Sequence, residues 1–293
     1  MAKNHMPVAH FGVRPDDVRA DCAPPKAIDR WHPELRARAE ASSDDAPLVI
    51  DVMDVIGDTW DGYGITARKV GALLRNSGER EVVVNINSPG GDVFEGLAIY
   101  NLLRGHAGDV TVRIVGLAAS AASVIAMGGD RIEIARAGFL MIHNTWVFAV
   151  GDRHDLTTVA GQLGAFDEVL ADLYAVRTGI DAAEIGQMMD RETWVSGRAA
   201  VERKFADQLL TADQVEADPQ ARAEAPRLKN LAKVDAALAR GGMARSERRS
   251  LIKDLTSTPS AADDGMPSAA KSMAALMGSV ETTLAKMETG HGL

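Results

Sequence analysis

Apolar positions in the middle of the chain follow two alternating rhythms. LVIDVMDVI at 48 to 56 and EVVVNIN at 81 to 87 are β-branched and nearly continuous, whereas ITARKVGALLRN between them places Ile65, Val70, Leu73 and Leu74 at helical spacing. That order predicts a β-α-β unit. The turn residues of SPGGD then give way to a helix carrying Val93, Leu97, Tyr100 and Leu103, and the strand DVTVRIV at 109 to 115 leads through GLAASAASVIAMGGD into another helix. RIEIA at 131 to 135 and GFLMIH at 138 to 143 predict two short strands. Leu156, Val159, Leu163, Phe166, Leu170 and Leu173 then form one apolar stripe on a helix of roughly six turns. A helical pattern in DAAEIGQMMD precedes a short strand that begins at Glu192. Strand and helix in such regular succession predict an α/β fold with a largely parallel sheet covered by helices.

The flanks break this rhythm. Residues 1 to 46 are rich in proline and charge, which predicts an extension with one short helix near its end. The regular region spans 47 to 215. From 216 to 293 the chain predicts a tail that is partly helical and partly disordered: 222 to 254 hold nine Lys or Arg against four Asp or Glu, and TSTPSAADDGMPSAA is rich in structure breakers. Within the tail, Ser246 can cap a short basic helix bearing Leu251, Ile252 and Leu255. Its net charge of +5 (9 minus 4) would suit an acidic protein surface. On this reading the tail is dispensable for hydrolysis of small peptides, and removing residues after 215 leaves that activity intact.

Composition narrows the function classes. The 46% hydrophobic content supports a buried core, and the single Cys22 excludes an internal disulfide framework and a cysteine metal cluster. No apolar run approaches the ~20 residues that span a bilayer, and the amino terminus has no secretory pattern, so the expectation is a cytoplasmic protein without a membrane partner. A net charge of −9 argues against nucleic-acid binding.

In a parallel sheet the functional groups gather beyond the carboxyl ends of the strands, and three motifs fall there. NSPGGD at 87 to 92 leaves backbone N–H groups unobstructed at a helix start, although a Gly-Gly turn is also common punctuation. GLAASAAS at 116 to 123 sets Ser120 at a strand-to-helix turn among residues that, apart from Leu117, are small. That placement suits an exposed nucleophile and equally a helix cap; Ser123, a turn later, suits packing. MIHNT at 141 to 145 ends an apolar strand in His143. Of the seven histidines, His5, His10, His32 and His291 lie in the flanks, His106 in a surface-type turn and His154 ahead of the long helix, which leaves His143 as the best-placed base.

The ordered set NSPGGD, GLAAS, MIH and a final element ending in FAD resembles the proteolytic subunit of the Clp protease over roughly residues 48 to 212. Within that family it is most similar to the head-maturation proteases of tailed phages and prophages, which share the GLAASAAS form and the element seen here as ETWVSGRAAVERKFAD. The resemblance implies a ClpP/crotonase-type spiral of β-α-β units and a serine endopeptidase. Ser120 would be the nucleophile and His143 the general base, with oxyanion-hole N–H groups from Gly91 and Ala121. It further implies a homo-oligomeric ring acting on scaffold or capsid proteins inside a procapsid, with a chaperone ATPase as an open possibility, and the apolar stripe of the long helix as an assembly surface. No metal, nucleotide or other cofactor is required, and no P-loop motif occurs.

Two departures from the family pattern stand out. Glu192 occupies the position of the family's catalytic aspartate, with Asp190 two residues earlier as the alternate. Ala121-Ala122 replaces the usual Met-Gly after the nucleophile. Two other readings share the fold: a crotonase-type enzyme acting on acyl-CoA, which has no need of Ser120 and His143 together, and a catalytically silent capsid scaffold component. A serine-lysine dyad is disfavoured because no lysine occurs between Lys69 and Lys204.

Overall fold

A computed structural model describes residues 23–38, 46–59, 62, 64–147, 149, 151–211 and 214–256. Cys22, His5, His10 and His291 lie outside the described residues. The sheet is built on β3 (Val82–Ser88), buried at every position as its unbroken apolar run demands. It pairs in parallel with β2 (Leu48–Val52) on one side and β4 (Val110–Ala119) on the other. Helices α2 (Ala67–Ser77) and α3 (Val93–Arg104) make the crossovers, capped by Thr66 and Asp92. Their apolar faces join one core of Val70, Leu97, Tyr100, Val84 and Ile114.

The strand β4 is longer than DVTVRIV alone, and the extra length decides the site. Its first half, Thr111–Ile114, pairs with β5 (Arg131–Ala135), whereas its last residues, Leu117–Ala119, pair in parallel with β6 (Phe139–Ile142). Beyond Ile114 the strand thus continues past its first partner and takes a second one within the same sheet. The short helix α4 (Ala121–Ala126) follows at once. β6 then pairs antiparallel with β7 (Thr193–Ser196), with Ile142 opposite Thr193. Between these strands run α5 (Arg153–Thr178), opened by an Asp152–Asp155 capping box, and α6 (Ala182–Asp190). The short α7 (Gly197–Glu202) and β8 (Gln208–Leu210), parallel to β5, complete the sheet. The architecture is the expected α/β spiral. Only the carboxyl half of the apolar stripe on α5 is buried, at Leu170 and Leu173, while Leu156 is 46% exposed.

The described parts of both flanks pack against this body. The amino-terminal α1 (Pro25–Arg30) leads through Trp31, whose indole N–H donates to the Asn87 carbonyl at 2.9 Å, into β1 (Leu35–Ala37). β1 pairs antiparallel with β9 (Val215–Ala217), which opens the long α8 (Pro219–Arg240). Ala236 and Ala239 of α8 bury against Ile28, Val55 and Trp146. The basic helix α9 (Arg245–Thr256) follows. Three of its four cations, expected to face a partner's acids, meet acids of this chain: Arg245 pairs with Asp92, Arg248 with Asp235 and Arg249 with Asp58. Two further expectations change. β2 ends at Val52, because residues from Met53 onward leave the sheet. His106 is buried and its Nε2 lies 2.7 Å from the Arg80 carbonyl oxygen, so it serves structure. Among the described residues no helix is long and apolar enough to cross a membrane.

Candidate active site

Strand register assembles the three motifs. Ser88 stands opposite Ala118 and Ala119 opposite Met141, so the residues following each strand, Gly90–Gly91, Ser120 and His143, emerge at one point. Ser120 donates its backbone N–H to the Met141 carbonyl at 2.9 Å and adopts φ 55°, ψ −125°. A non-glycine residue at positive φ in a strand-to-helix turn is held there by its surroundings and thrusts its side chain outward. The hydroxyl therefore projects into a recess lined by Gly91, Val93, Ala121, Val124, His143, Trp146, Leu170 and Tyr174. All of Ser120, His143, Gly91 and Ala121 meet there. His143 Nε2 lies 2.7 Å from Ser120 Oγ.

The glycines are required by close approach. A Cβ on Gly90 would stand 2.6 Å from the Ala119 carbonyl oxygen, and one on Gly91, at φ +150°, would stand 2.1 Å from that of Ile56. Ile56 bonds on either side of Gly91: its N–H donates to Gly90 O, and the Asp92 N–H donates to Ile56 O, both at 2.9 Å. In a parallel bridge of this kind the intervening residue turns its own N–H to the opposite side. Ala121 is the first residue of α4, where a backbone N–H has no intrahelical acceptor. Gly91 and Ala121 thus line the recess with Ser120 from separate elements.

Burial pushes the His143 imidazolium down, to about 4, with the Glu192 carboxylate pulling in the opposite direction. The ring is therefore neutral at pH 7 and able to take a proton. Continuing the β6–β7 register by one residue sets His143 opposite Glu192, which is why Glu192 and not Asp190 acts on it electrostatically. Glu192 is not the first strand residue, as the sequence predicted. It precedes β7 in a turn at φ 50°, and its Oε1 lies 3.1 Å from Lys26 Nζ and accepts the Trp194 indole N–H at 3.2 Å. Its charge reaches His143 without a hydrogen bond, since the ring's one hydrogen bond among the described residues is to Ser120. Asp190 ends α6 exposed, as expected, and accepts from Asn144 Nδ2 at 2.8 Å.

Ser123 is fully buried; its hydroxyl donates to the Ser120 carbonyl at 2.6 Å and lies 2.6 Å from the Tyr174 hydroxyl. It ties α4 to α5, as the packing reading requires. The sequence reading missed Tyr174 and Trp146, which line the recess with the serine, and Arg245, which bonds Asp92 beside Gly91. Tyr174 lay one step beyond the apolar stripe and was the only one with a readable signal. Among the described residues no group of three or more His, Cys, Asp or Glu side chains could hold a metal ion.

Comparison with known proteins agrees with this geometry. Residues 64–213 match the Clp protease family. The chain is 32% identical over 152 residues to an ATP-dependent Clp protease proteolytic subunit 2 from Thermobifida fusca, covering 50% of this chain and 75% of that protein. It is 27% identical over 167 residues to an ATP-dependent Clp protease proteolytic subunit from Bacteroides fragilis, covering 56% and 81%. A proteolytic subunit from Deinococcus radiodurans is 31% identical over 135 residues, covering 45% and 66%. The match takes in every motif of the recess, from the Gly-Gly turn through the serine and histidine to the acidic residue before β7, and the chain belongs to the Clp protease family.

Proposed function

We propose that this chain is a serine endopeptidase that works through an acyl-enzyme. The observation that carries the reading is the 2.7 Å contact between His143 Nε2 and Ser120 Oγ in a recess that also holds Gly91 and Ala121. Ser120 Oγ attacks the peptide carbonyl carbon as its proton passes to His143. The carbonyl oxygen becomes an oxyanion held by the N–H groups of Gly91 and Ala121. Collapse of the tetrahedral intermediate breaks the C–N bond, and His143 returns the proton to the departing amine. Water, deprotonated by the same ring, then adds to the ester and releases the acid and free Ser120. Glu192 favours the imidazolium that forms in each transition state, through charge. A crotonase-type reaction would use the two N–H groups alone and leaves the serine-histidine contact without a purpose.

The relatives are named as proteolytic subunits, and by extension this chain works as a homo-oligomeric ring on protein substrates. The half-exposed stripe at the amino end of α5 supplies apolar surface for assembly. Within the family we assign it to phage or prophage head maturation, cutting scaffold or capsid proteins, on the strength of the GLAASAAS form and the ETW element. The test of the chemistry is hydrolysis of a fluorogenic peptide by the purified chain, with Ser120→Ala and His143→Ala as comparisons; equal hydrolysis by either variant refutes it. The test of the finer reading is coexpression with capsid and scaffold proteins of tailed phages. Ser120-dependent trimming of one of them is the expected result, and uncut partners beside an active peptidase reject head maturation.

A further inference from the structure

We propose that Arg245 is a positioning residue for the oxyanion-binding turn Gly90–Asp92, which makes α9 part of the working catalytic unit; this rests on the serine-protease reading above. The side chain of Asp92 is only 3% exposed. One carboxylate oxygen, Oδ1, accepts from the backbone N–H groups of Phe94 and Glu95 at 2.9 and 3.3 Å and so caps α3. The other, Oδ2, accepts from Arg245 Nη2 at 2.7 Å, across 153 residues of sequence. The cap and the ion pair therefore hold the same carboxylate from opposite sides.

Asp92 is the residue after Gly91, whose N–H is to meet the oxyanion. Gly91 has no side chain to anchor its peptide plane and takes its orientation from its neighbours, each bonded to Ile56. A buried carboxylate that loses its cation must find water or another partner. Any rotation that brings relief loosens the cap on α3 and shifts the Gly91 N–H. The rest of α9 is anchored through Arg248, almost fully buried against Asp235, and through the buried Ile252, which keep Arg245 in place. This runs against the expectation that everything after residue 215 is dispensable for peptide hydrolysis.

The test uses the full chain and four variants, Arg245→Gln, Arg245→Lys, Arg249→Gln and Ser120→Ala. Each is read by kcat and KM on a fluorogenic peptide, by inhibition constant for a peptide aldehyde, whose hemiacetal oxygen occupies the oxyanion position, and by circular dichroism. Arg245→Gln is expected to lose about 30- to 100-fold in kcat with KM within about threefold, because a misaimed donor harms the transition state and spares ground-state binding. Aldehyde affinity falls in parallel. Arg245→Lys keeps the charge without the planar fork and recovers part of the loss. Arg249→Gln, which removes an exposed ion pair on the same helix without touching Asp92, stays within about threefold of wild type. A folded Arg245→Gln with wild-type kcat and aldehyde affinity overturns the proposal, and so does an equal loss in Arg249→Gln. If Arg245→Gln does not fold, Arg245→Lys decides: a loss of about three- to tenfold in kcat and in aldehyde affinity supports the proposal, and no loss overturns it. Hydrolysis that is the same in Ser120→Ala overturns the underlying site assignment and the proposal with it.

Discussion

Replacing Glu192 with glutamine removes one negative charge beside His143 and preserves shape, which isolates its electrostatic part in catalysis. In a family triad the acid bonds the histidine, and losing that bond can cost ~10⁴ in rate. Here the carboxylate is engaged with Lys26 and Trp194 and reaches His143 through space. An opposite charge about 4 Å away at an effective dielectric of ~20 would be worth about 4 kcal/mol, which is an upper limit for a pair that is not in contact. Partial exposure of Glu192 (27%) and the competing ammonium of Lys26 reduce this to about 2 to 3 kcal/mol, or roughly two powers of ten in rate. Asp190→Asn removes an exposed charge already bonded to Asn144 and should change the rate by no more than about threefold. The assay is kcat/KM on a fluorogenic peptide, with circular dichroism to verify folding. A folded Glu192→Gln within about fivefold of wild type would refute the through-space role. A larger loss in Asp190→Asn would transfer it to Asp190, and two near-neutral results would leave a serine-histidine dyad.

Other perturbations have equally definite outcomes. Burial lowers His143 to about 4, so the acid limb of kcat/KM should lie well below the usual histidine range, with rates at pH 6 and pH 8 within about twofold; a limb near pH 6.5 would contradict a desolvated ring. Because the folded value is the lower one, the fold should lose stability as pH falls from about 6.5 towards 4, measurable as a falling urea midpoint that His143→Gln flattens. Ser123→Ala strands the buried Tyr174 hydroxyl and should cost about 1 to 3 kcal/mol of stability while Ser120 stays reactive, and the double variant with Tyr174→Phe should recover part of that loss. Gly90→Ala should abolish hydrolysis, since its Cβ would sit 2.8 Å from that of Ser120; wild-type activity would show that the turn yields.

How much of this was legible in the sequence depends on the range of the forces involved. β3 and α3 could be read because strand burial and helix periodicity are written within a dozen residues. The same holds for Ser120 and His143, each placed by the strand that precedes it. The turn of β4 from one partner to another could not be read, because it depends on which strands pair and not on the composition of GLAA alone. Nor could the setting of Glu192, which is fixed by Lys26 on a segment with little pattern of its own. The tail shows the limit most clearly: its net charge was countable, yet the acids it answers, Asp58 and Asp92, lie more than 150 residues away in sequence.

If Ser120 is a nucleophile activated by His143, a serine-reactive probe captures it covalently. The full chain is treated with a fluorophosphonate, digested, and the modified residue located by mass spectrometry, with Ser120→Ala, Ser123→Ala and His143→Ala in parallel. A single adduct on Ser120, retained in Ser123→Ala and slowed by about three or more powers of ten in His143→Ala, is the predicted result. An adduct that persists in Ser120→Ala, or a Ser120 that reacts equally fast without His143, would contradict it.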